Sequence, residues 1–395
     1  MTYEQRIMAA IRGEAIDRLP FAPRLDLWYQ GNKNQGTLPD KYKNASLVDI
    51  VDDMDVGYHC TVPNFSTIVH PDDNAHVGLG LYNTKSVFYT IEMDVDYEVS
   101  HNGGETTTVY HTPYGDLTAS THLDDAMVLA GINQPHITNP AVKDHEDYKK
   151  IAYIFDHITI KPRYEYYYLL KEPIGDRGPV VGFQYEGGSP MHGLLKEMSR
   201  FEQFWYDYFD YIEEMEECCE SIRRVMREIL RVVADSPSEI LYVGANYDFM
   251  TTNPNMFKQY ITDDLRWSSD FLHSKGKYCL THTDGENKRL VDEYVEAHID
   301  IADSVCPAPM TSLSLADHRE AFQNKICIWG GIAAISVLES SMTDYQFEKY
   351  VNEMLEQCGD GRRLILGVAD SVPPGAKWSR MEYLNQKIRE FGPVR

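Results

Sequence analysis

The sequence predicts an α/β protein in which parallel strands alternate with helices and close into a barrel. Three observations support this: a large apolar content, a repeated strand–helix rhythm after about residue 175, and the lack of a nucleotide-binding loop. The chain has 395 residues, of which 43% are hydrophobic. Barrels of this kind often exceed about 250 residues as one unit. We therefore expect a single barrel domain over residues 1–395.

Short apolar strands separated by long amphipathic segments fill the second half of the chain. Continuous apolar strands are typical of a parallel sheet that is covered by helices on both faces. A row of such units favours a closed barrel over an open sheet, and neither a Gly-x-Gly-x-x-Gly nor a Walker-type loop follows any of them. The predicted strands are residues 179–183, 239–243, 278–281, 299–302, 326–329 and 364–368.

Between about residues 78 and 122 the pattern changes from strand–helix to strand–turn. β-rich runs at 87–91 and 106–110 alternate with the turn sequences HNGG at 101–104 and TPYGD at 112–116. Alternation broken by glycine-rich turns is typical of antiparallel hairpins. We therefore predict an antiparallel β-meander inserted into the barrel.

The charge of the chain excludes several classes of partner. The net charge is −24, which argues against nucleic acid and against an anionic membrane surface, since both require a basic face. Residues 1–6 lack the apolar run of a signal peptide, and no later segment is apolar enough to span a bilayer. The seven cysteines are irregularly spaced and odd in number, unlike a disulfide framework. A reducing cytoplasm is the expected location.

Polar or aromatic side chains follow every predicted strand. Catalytic groups of such barrels sit at the carboxyl ends of the strands, so these side chains are expected to converge on one cavity. They are Gln184, Tyr185 and Glu186; Asn246, Tyr247 and Asp248; His282, Asp284 and Glu286; Cys306; Trp329; and Asp370.

His282 and Asp284 lie two residues apart, so they share one face if the strand continues that far. A histidine beside a carboxylate can bind a metal or form an acid/base pair. The alternative is a loop histidine bonded to its neighbour to support the turn at Gly285. Glu286 either joins the site or caps the following helix.

Cys306 follows a strand and precedes a proline-stiffened loop, which makes it either a metal ligand or a small buried apolar residue. Asp370 precedes Pro373 and Pro374, and its local sequence leaves capping, metal ligation and proton donation open. A stripe of aromatic residues has helical spacing and is expected to be core or a subunit contact, which leaves a homodimer open. Its members are Phe201, Phe204, Trp205, Tyr208 and Phe209.

Several motifs together resemble the uroporphyrinogen decarboxylase superfamily. They are RIMAAIRGE at 6–14, DRLP at 17–20, HTDGE at 282–286, WGGI at 329–332, and LGVAD at 366–370 with its following Pro-Pro pair. Their order and spacing cover nearly the whole chain apart from the β-rich segment. The resemblance implies a distorted (β/α)8 TIM barrel. The superfamily contains both porphyrinogen decarboxylases and corrinoid-linked methyltransferases, so the fold leaves the reaction open.

Two branches of the superfamily match in part. The decarboxylases carry Arg-Gln-Ala-Gly-Arg-Tyr near the N-terminus, where this chain has PRLDLWY at 23–29. Only Arg24 and Tyr29 match, and Asp26 would repel a polycarboxylate. Zinc methyltransferases that act on thiols have a His-x-Cys pair and a further cysteine on the last strand.

At the corresponding positions this chain has His282, Asp284 and Asp370, so both thiolates are replaced by carboxylates. Cys306, on the neighbouring strand, would restore one thiolate. The metal ligands implied by this resemblance are therefore His282, Asp284 and Cys306, with zinc as the metal.

A third branch, the corrinoid-dependent O-demethylase methyltransferases, is more similar. Its likeness rests on residues 23–29 with GTLP at 36–39, on GANYD at 244–248 and on CPAPM at 306–310. This resemblance implies methyl transfer from a methyl ether, often an aryl one, to the corrinoid of a partner protein. The chain has no Asp-x-His-x-x-Gly loop of the kind that holds cobalamin.

On this reading the substrate is a small methoxylated aromatic compound. The catalytic candidates are Asp284, Glu286 and Asp370, and the substrate-binding candidates are Trp28, Asn246, Tyr247 and Trp329.

Two other classes of function stay open. One is a decarboxylase of a porphyrinogen or smaller acid, with an arginine clamp and no corrinoid partner. The other is a non-catalytic ligand-binding barrel, which the many titratable groups at one rim disfavour.

Overall fold

This computed structural model describes residues 1–61, 74–82, 88–185, 187–244 and 246–395. Glu186, one of the predicted strand-end residues, lies outside the described residues, as do Ala245 and residues 83–87 of the predicted β-rich segment.

The strands are β1 Cys60–Thr61, β2 Tyr89–Met93, β3 Tyr97–Asn102, β4 Glu105–Thr112, β5 Gly115–His122, β6 His136–Asn139, β7 Ile158–Pro162, β8 Val180–Phe183, β9 Ile240–Tyr242, β10 Tyr278–His282, β11 Ile301–Val305, β12 Cys327–Ala333 and β13 Leu364–Ala369. The α-helices are α1 Tyr3–Arg12, α2 Asp26–Gln35, α3 Leu47–Met54, α4 Asp125–Leu129, α5 Asp147–Asp156, α6 Glu165–Ile174, α7 Pro190–Gly193, α8 Phe201–Asp210, α9 Ile212–Ala234, α10 Pro254–Tyr260, α11 Thr262–Ser274, α12 Val291–Glu296, α13 Leu315–Phe322, α14 Asp344–Gln357 and α15 Trp378–Phe391.

A parallel sheet of seven strands forms the centre of the fold, in the spatial order β1, β8, β9, β10, β11, β12, β13. All neighbouring strands in it are parallel. Its residues are almost all buried, as expected for a sheet covered by helices. The predicted strands of the second half of the chain correspond to β8 through β13, so that part of the prediction is confirmed.

The segment around Phe21 completes the curled sheet between its two edge strands. Phe21 pairs in parallel with Leu366 of β13, and the N–H of Ala22 donates to the carbonyl of Leu366 at 2.8 Å. On the other side, the N–H of Gly57, just before β1, donates to the carbonyl of Phe21 at 2.8 Å. These bonds join β13 to the start of β1. At this position an isolated bridge takes the place of a regular eighth strand among the described residues.

Helices pack on the outside of the sheet through apolar stripes. In α9 the buried positions include Met215, Cys219, Ile222 and Met226, which recur every three or four residues and so lie on one face. The starts of α1, α3, α13 and α14 are fixed by capping boxes, in which a Ser or Thr and the residue three positions later satisfy each other's backbone N–H groups.

The predicted antiparallel meander is present and extends beyond residue 122. β3, β4, β5 and β6 form an antiparallel sheet in sequence order, and β2 pairs antiparallel with β7. The β3–β4 turn contains Gly103 and Gly104, as the pattern predicted. The sequence does not mark β6 and β7 clearly, because β6 has only four residues and β7 follows a helix, far from its partner β2.

All seven cysteines are free and buried, in agreement with the predicted lack of a disulfide framework. Among the described residues, each helix is too short or too polar to cross a membrane.

The approach of β8 to β1 depends on Gly178. A Cβ atom at Gly178 would lie 2.0 Å from the carbonyl oxygen of Tyr58, which leads into β1. Gly178→Ala should therefore force β1 and β8 apart and lower the free energy of unfolding by about 1–3 kcal/mol, as overpacking does. At Gly375 an added Cβ meets its nearest neighbour at 3.6 Å. Gly375→Ala is the control, and urea unfolding measures both variants. Equal midpoints would contradict this account of the β1–β8 contact.

Candidate active site at the carboxyl end of the barrel strands

Three side chains that could bind a metal meet where the central strands end. His282 is the last residue of β10, Asp284 follows it, and Asp370 follows β13. The His282 Nε2 atom lies 3.6 Å from Asp284 Oδ2 and 3.6 Å from Asp370 Oδ1. We call His282, Asp284 and Asp370 the trio. The His282 side chain is only 5% exposed, but those of Asp284 and Asp370 are 30% and 37% exposed, so a ligand can reach the carboxylates.

A buried carboxylate orients the histidine of the trio. Asp303 of β11 lies directly beside His282 in the strand register, and its Oδ2 atom is 2.8 Å from His282 Nδ1. Its other oxygen, Oδ1, is 3.3 Å from Nε2 of His59, which precedes β1. When Nδ1 of His282 donates to Asp303, Nε2 is left facing the other two carboxylates.

Arg24 reaches the trio from the segment that follows Phe21. Its Nη1 atom lies 3.2 Å from Asp370 Oδ1, and its Nε atom lies 3.3 Å from Asp26 Oδ1. The Asp26, Asp370 and Asp303 carboxylates raise the pKa of Arg24 despite its burial, which alone would lower that pKa. Arg24 is thus a fixed cation held by carboxylates of the chain itself.

The carboxylates of the site favour a positive charge at His282 Nε2, which either a proton or a metal ion in its place can supply. Burial alone would lower the pKa of His282, but the nearby carboxylates of Asp284 and Asp370 outweigh burial and raise it well above its usual value. Burial would raise the pKa of Asp284, yet the His282 charge brings it below its usual value. The pKa of Asp303 is also depressed despite complete burial, because His59 and His282 face its oxygens.

The geometry of the trio is compatible with a zinc ion. Four ligands at about 2.1 Å in a tetrahedron lie about 3.4 Å from one another. The two His282–carboxylate separations of 3.6 Å are close to that value. One ligand atom from each member of the trio lies within 4.8 Å of the others. Three protein ligands would leave one coordination position for a substrate atom, as catalytic zinc sites require.

Two other predicted site residues lie outside the trio. The Cys306 thiol contacts the carbonyl of Ala369 at 3.5 Å and the sulfur of Met310 at 3.9 Å. Burial, helped by the nearby carboxylates of the trio, raises its pKa to about 12, which favours the thiol over the zinc-binding thiolate. Glu286 accepts hydrogen bonds from the backbone N–H groups of Lys288 at 3.2 Å and Ser312 at 2.7 Å. It therefore links the loops that follow β10 and β11.

Two of the predicted substrate-binding aromatic residues are part of the core. Trp28 stacks on Trp378 with ring centroids 4.1 Å apart. The Tyr247 ring is fully buried, stacks on His192 and contacts Phe257. The Tyr247 hydroxyl also lies 3.3 Å from the hydroxyl of Thr281, the residue that precedes His282 in β10.

Trp329 and Asn246 take different positions. Trp329 is buried beside Asp303 in the strand register, its ring stacks on His59 at 4.2 Å, and its Nε1 donates to the carbonyl of Ala22 at 3.1 Å. Asn246 is exposed and has a φ of 56°. The ring of Tyr242, at the end of β9, lies 5.9 Å from that of His282.

Sequence reasoning missed Asp303 and His59. The available signal for Asp303 was a carboxylate in the middle of the buried strand Ile301–Val305. A charge in that position is costly unless it is paired, so it indicates a partner across the barrel. His59 carries no comparable signal, because a lone histidine near a strand is compatible with many environments.

Comparisons with known proteins agree with this fold. The family model described as uroporphyrinogen decarboxylase (URO-D) matches residues 126–391, a range that includes the trio and Asp303. A solved structure of a methyltransferase from Methanosarcina mazei is similar in fold, with a TM-score of 0.55 and 14% sequence identity over 99% of this chain and 99% of that chain. Comparison with curated protein sequences gave no significant match. At such low identity the structural likeness concerns the fold alone. Because the family model covers most of the chain, this protein belongs to the uroporphyrinogen decarboxylase family of enzymes.

Proposed function

We propose that this protein is a methyltransferase that removes a methyl group from an aryl methyl ether and passes it to a corrinoid carried by a partner protein. The observation that carries this proposal is the trio itself. One nitrogen donor and two oxygen donors meet at the carboxyl end of the barrel strands. By resemblance, methyltransferases that act on thiols have thiolates at two of these positions. A site of nitrogen and oxygen donors suits the activation of an oxygen leaving group.

Cleavage of an aryl methyl ether releases a phenolate, which is a poor leaving group unless its oxygen is protonated or coordinated. The reduced corrinoid supplies the Co(I) nucleophile that receives the methyl group, while the ether oxygen keeps the electron pair of the broken C–O bond. The chain itself has to bind the ether, orient its oxygen and stabilise the developing negative charge. The two carboxylates of the trio would by themselves repel that charge, so the trio would have to hold a cation that offsets it.

We propose zinc as the metal of the trio, with His282, Asp284 and Asp370 as its ligands. When bound there, zinc supplies a Lewis acid for the leaving oxygen. Asp303 holds His282 so that Nε2 faces the other ligands. Arg24 holds Asp370 through one of its oxygens. Cys306 becomes a fourth ligand only if its thiol leaves its contacts with Ala369 and Met310 and loses its proton.

A decarboxylase is the second candidate, and the family match is what favours it. A decarboxylase of this family would need cationic groups for substrate carboxylates. Arg24 is the cation that sequence reasoning assigned to that role, and it already contacts Asp26 and Asp370. A substrate carboxylate would have to compete with both, which makes this reaction the weaker proposal.

The methyltransferase proposal predicts formation of methylcobalamin when the protein is incubated with guaiacol or veratrole and reduced cobalamin. Asp370→Asn should reduce the initial rate on the order of 10²-fold or more, because it removes one of the three proposed zinc ligands and with it the Lewis acid for the leaving oxygen. Asp270→Asn is the matched control, since Asp270 is exposed and pairs with the exposed His298 rather than with any member of the trio. The absorbance change of the corrinoid measures the rate.

Absence of methylcobalamin across a panel of methoxylated compounds, even with a cognate corrinoid protein, would rule out the methyltransferase. Release of carbon dioxide from a carboxylic acid without any corrinoid would establish the decarboxylase in its place.

The zinc proposal predicts about one equivalent of tightly bound zinc per chain, because three protein ligands are available. His282→Ala should lose this zinc, since it removes the nitrogen donor. His101→Ala is the control, because His101 lies exposed on β3 and bonds only with Thr106 in the described contacts. Elemental analysis after dialysis measures the content. Equal zinc in His282→Ala and the unmodified protein would exclude His282 as a ligand.

A further inference from the structure

β11 is irregular at the residue that follows Asp303. Its pairing with β12 shifts register between Asp303 and Val305. Ser304, which lies between them, has a φ of 57°, in the left-handed region that favours glycine. Ser304 is also almost fully buried. The strand therefore contains a bulge centred on a serine whose backbone conformation is unfavourable for a residue with a side chain.

The facing strand is adapted to this bulge. A Cβ atom at Gly330 of β12 would lie 2.6 Å from the backbone nitrogen of Val305 and 3.2 Å from the carbonyl carbon of Ser304. Only a glycine allows β11 to approach so closely there. Gly330 belongs to the WGGI motif, and this contact gives a local physical reason for its glycine.

The bulge changes where two consecutive side chains point. Neighbouring residues of a regular strand face opposite sides of the sheet. Here both face the site: Asp303 holds His282 Nδ1 at 2.8 Å, and the Ser304 hydroxyl donates to Asp370 Oδ1 at 3.1 Å. The same hydroxyl lies 3.3 Å from Asp303 Oδ2, so it sits between the carboxylate that orients His282 and the carboxylate that belongs to the trio.

We propose that Ser304 is a positioning residue and that its strained backbone is retained because its hydroxyl fixes Asp370 relative to His282. Asp370 Oδ1, the oxygen that faces His282, takes hydrogen bonds from Ser304 and from Arg24. Ser304 and Asp303 thus hold two members of the trio from one bulge, before any cation binds. The inference rests on the zinc part of the proposed function and not on methyl transfer.

Zinc affinity tests this role, measured by competition with a chromophoric chelator. Ser304→Gly removes the hydroxyl and also relieves the left-handed strain. We expect zinc to bind about 10–100-fold more weakly, the usual effect of losing a group that orients a ligand, while the thermal midpoint stays equal or rises. Ser304→Ala removes the hydroxyl but keeps the Cβ atom, and it should lose affinity to a similar extent.

Gln323→Gly is the matched control, since Gln323 is an exposed non-glycine residue with a φ of 51° at the end of α13. It should leave zinc affinity unchanged. If Ser304 had only a structural role, Ser304→Gly would change stability and zinc affinity in the same direction. If Ser304 positions Asp370, the variant loses zinc affinity without losing stability.

Two results would overturn the inference: equal zinc affinity in Ser304→Gly and the unmodified protein, or no zinc binding by the unmodified protein. If zinc binds and Ser304→Gly weakens it, yet no methylcobalamin forms from any ether, only the methyl-transfer proposal fails.

Discussion

The hydrogen bond between His282 Nδ1 and Asp303 Oδ2 is the interaction on which the rest of the site depends. Asp303 is 1% exposed, so its charge has to be matched by neighbouring groups rather than by water. His282 lies beside Asp303 because the two residues are register partners on the adjacent parallel strands β10 and β11. His59, which precedes β1, faces the other oxygen of Asp303. The Asp303 carboxylate can therefore face both histidines only because the curvature of the barrel brings the entry to β1 close to β11.

Much of the fold could be predicted from the sequence, because buried parallel strands leave a simple pattern of short apolar runs between amphipathic helices. The proximity of His282 to Asp284 was expected only if the strand continued to residue 284. β10 ends at His282, yet the turn that follows still brings the two side chains within 3.6 Å of each other. Asp370 was identified by its position after a strand. These inferences rely on periodicity and on strand ends, which are local properties of the chain.

Other parts of the site depend on features that are not local. The direction of an aromatic ring is decided by packing: Trp28 stacks on Trp378 and Tyr247 stacks on His192, while the ring of Tyr242 lies 5.9 Å from that of His282. The bulge at Ser304 depends on the facing Gly330, so it requires knowledge of strand register. Cys306 occupies the expected strand end, but the carbonyl of Ala369 and the sulfur of Met310 hold its thiol.

The closure of the barrel through Phe21 has a consequence for how the chain reaches its native state. Phe21 pairs with Leu366, so the contact that joins the sheet edges spans nearly the whole sequence. Closing a loop of that length costs conformational entropy before the contact can stabilise the fold. Proteins with many contacts between distant parts of the chain fold more slowly for this reason. In a nascent chain, Phe21 and its apolar neighbours have no β13 to pair with until that strand has been synthesised. During that interval the apolar surface of the first segment lacks its final packing partner, and transiently exposed surface of this kind is prone to aggregation.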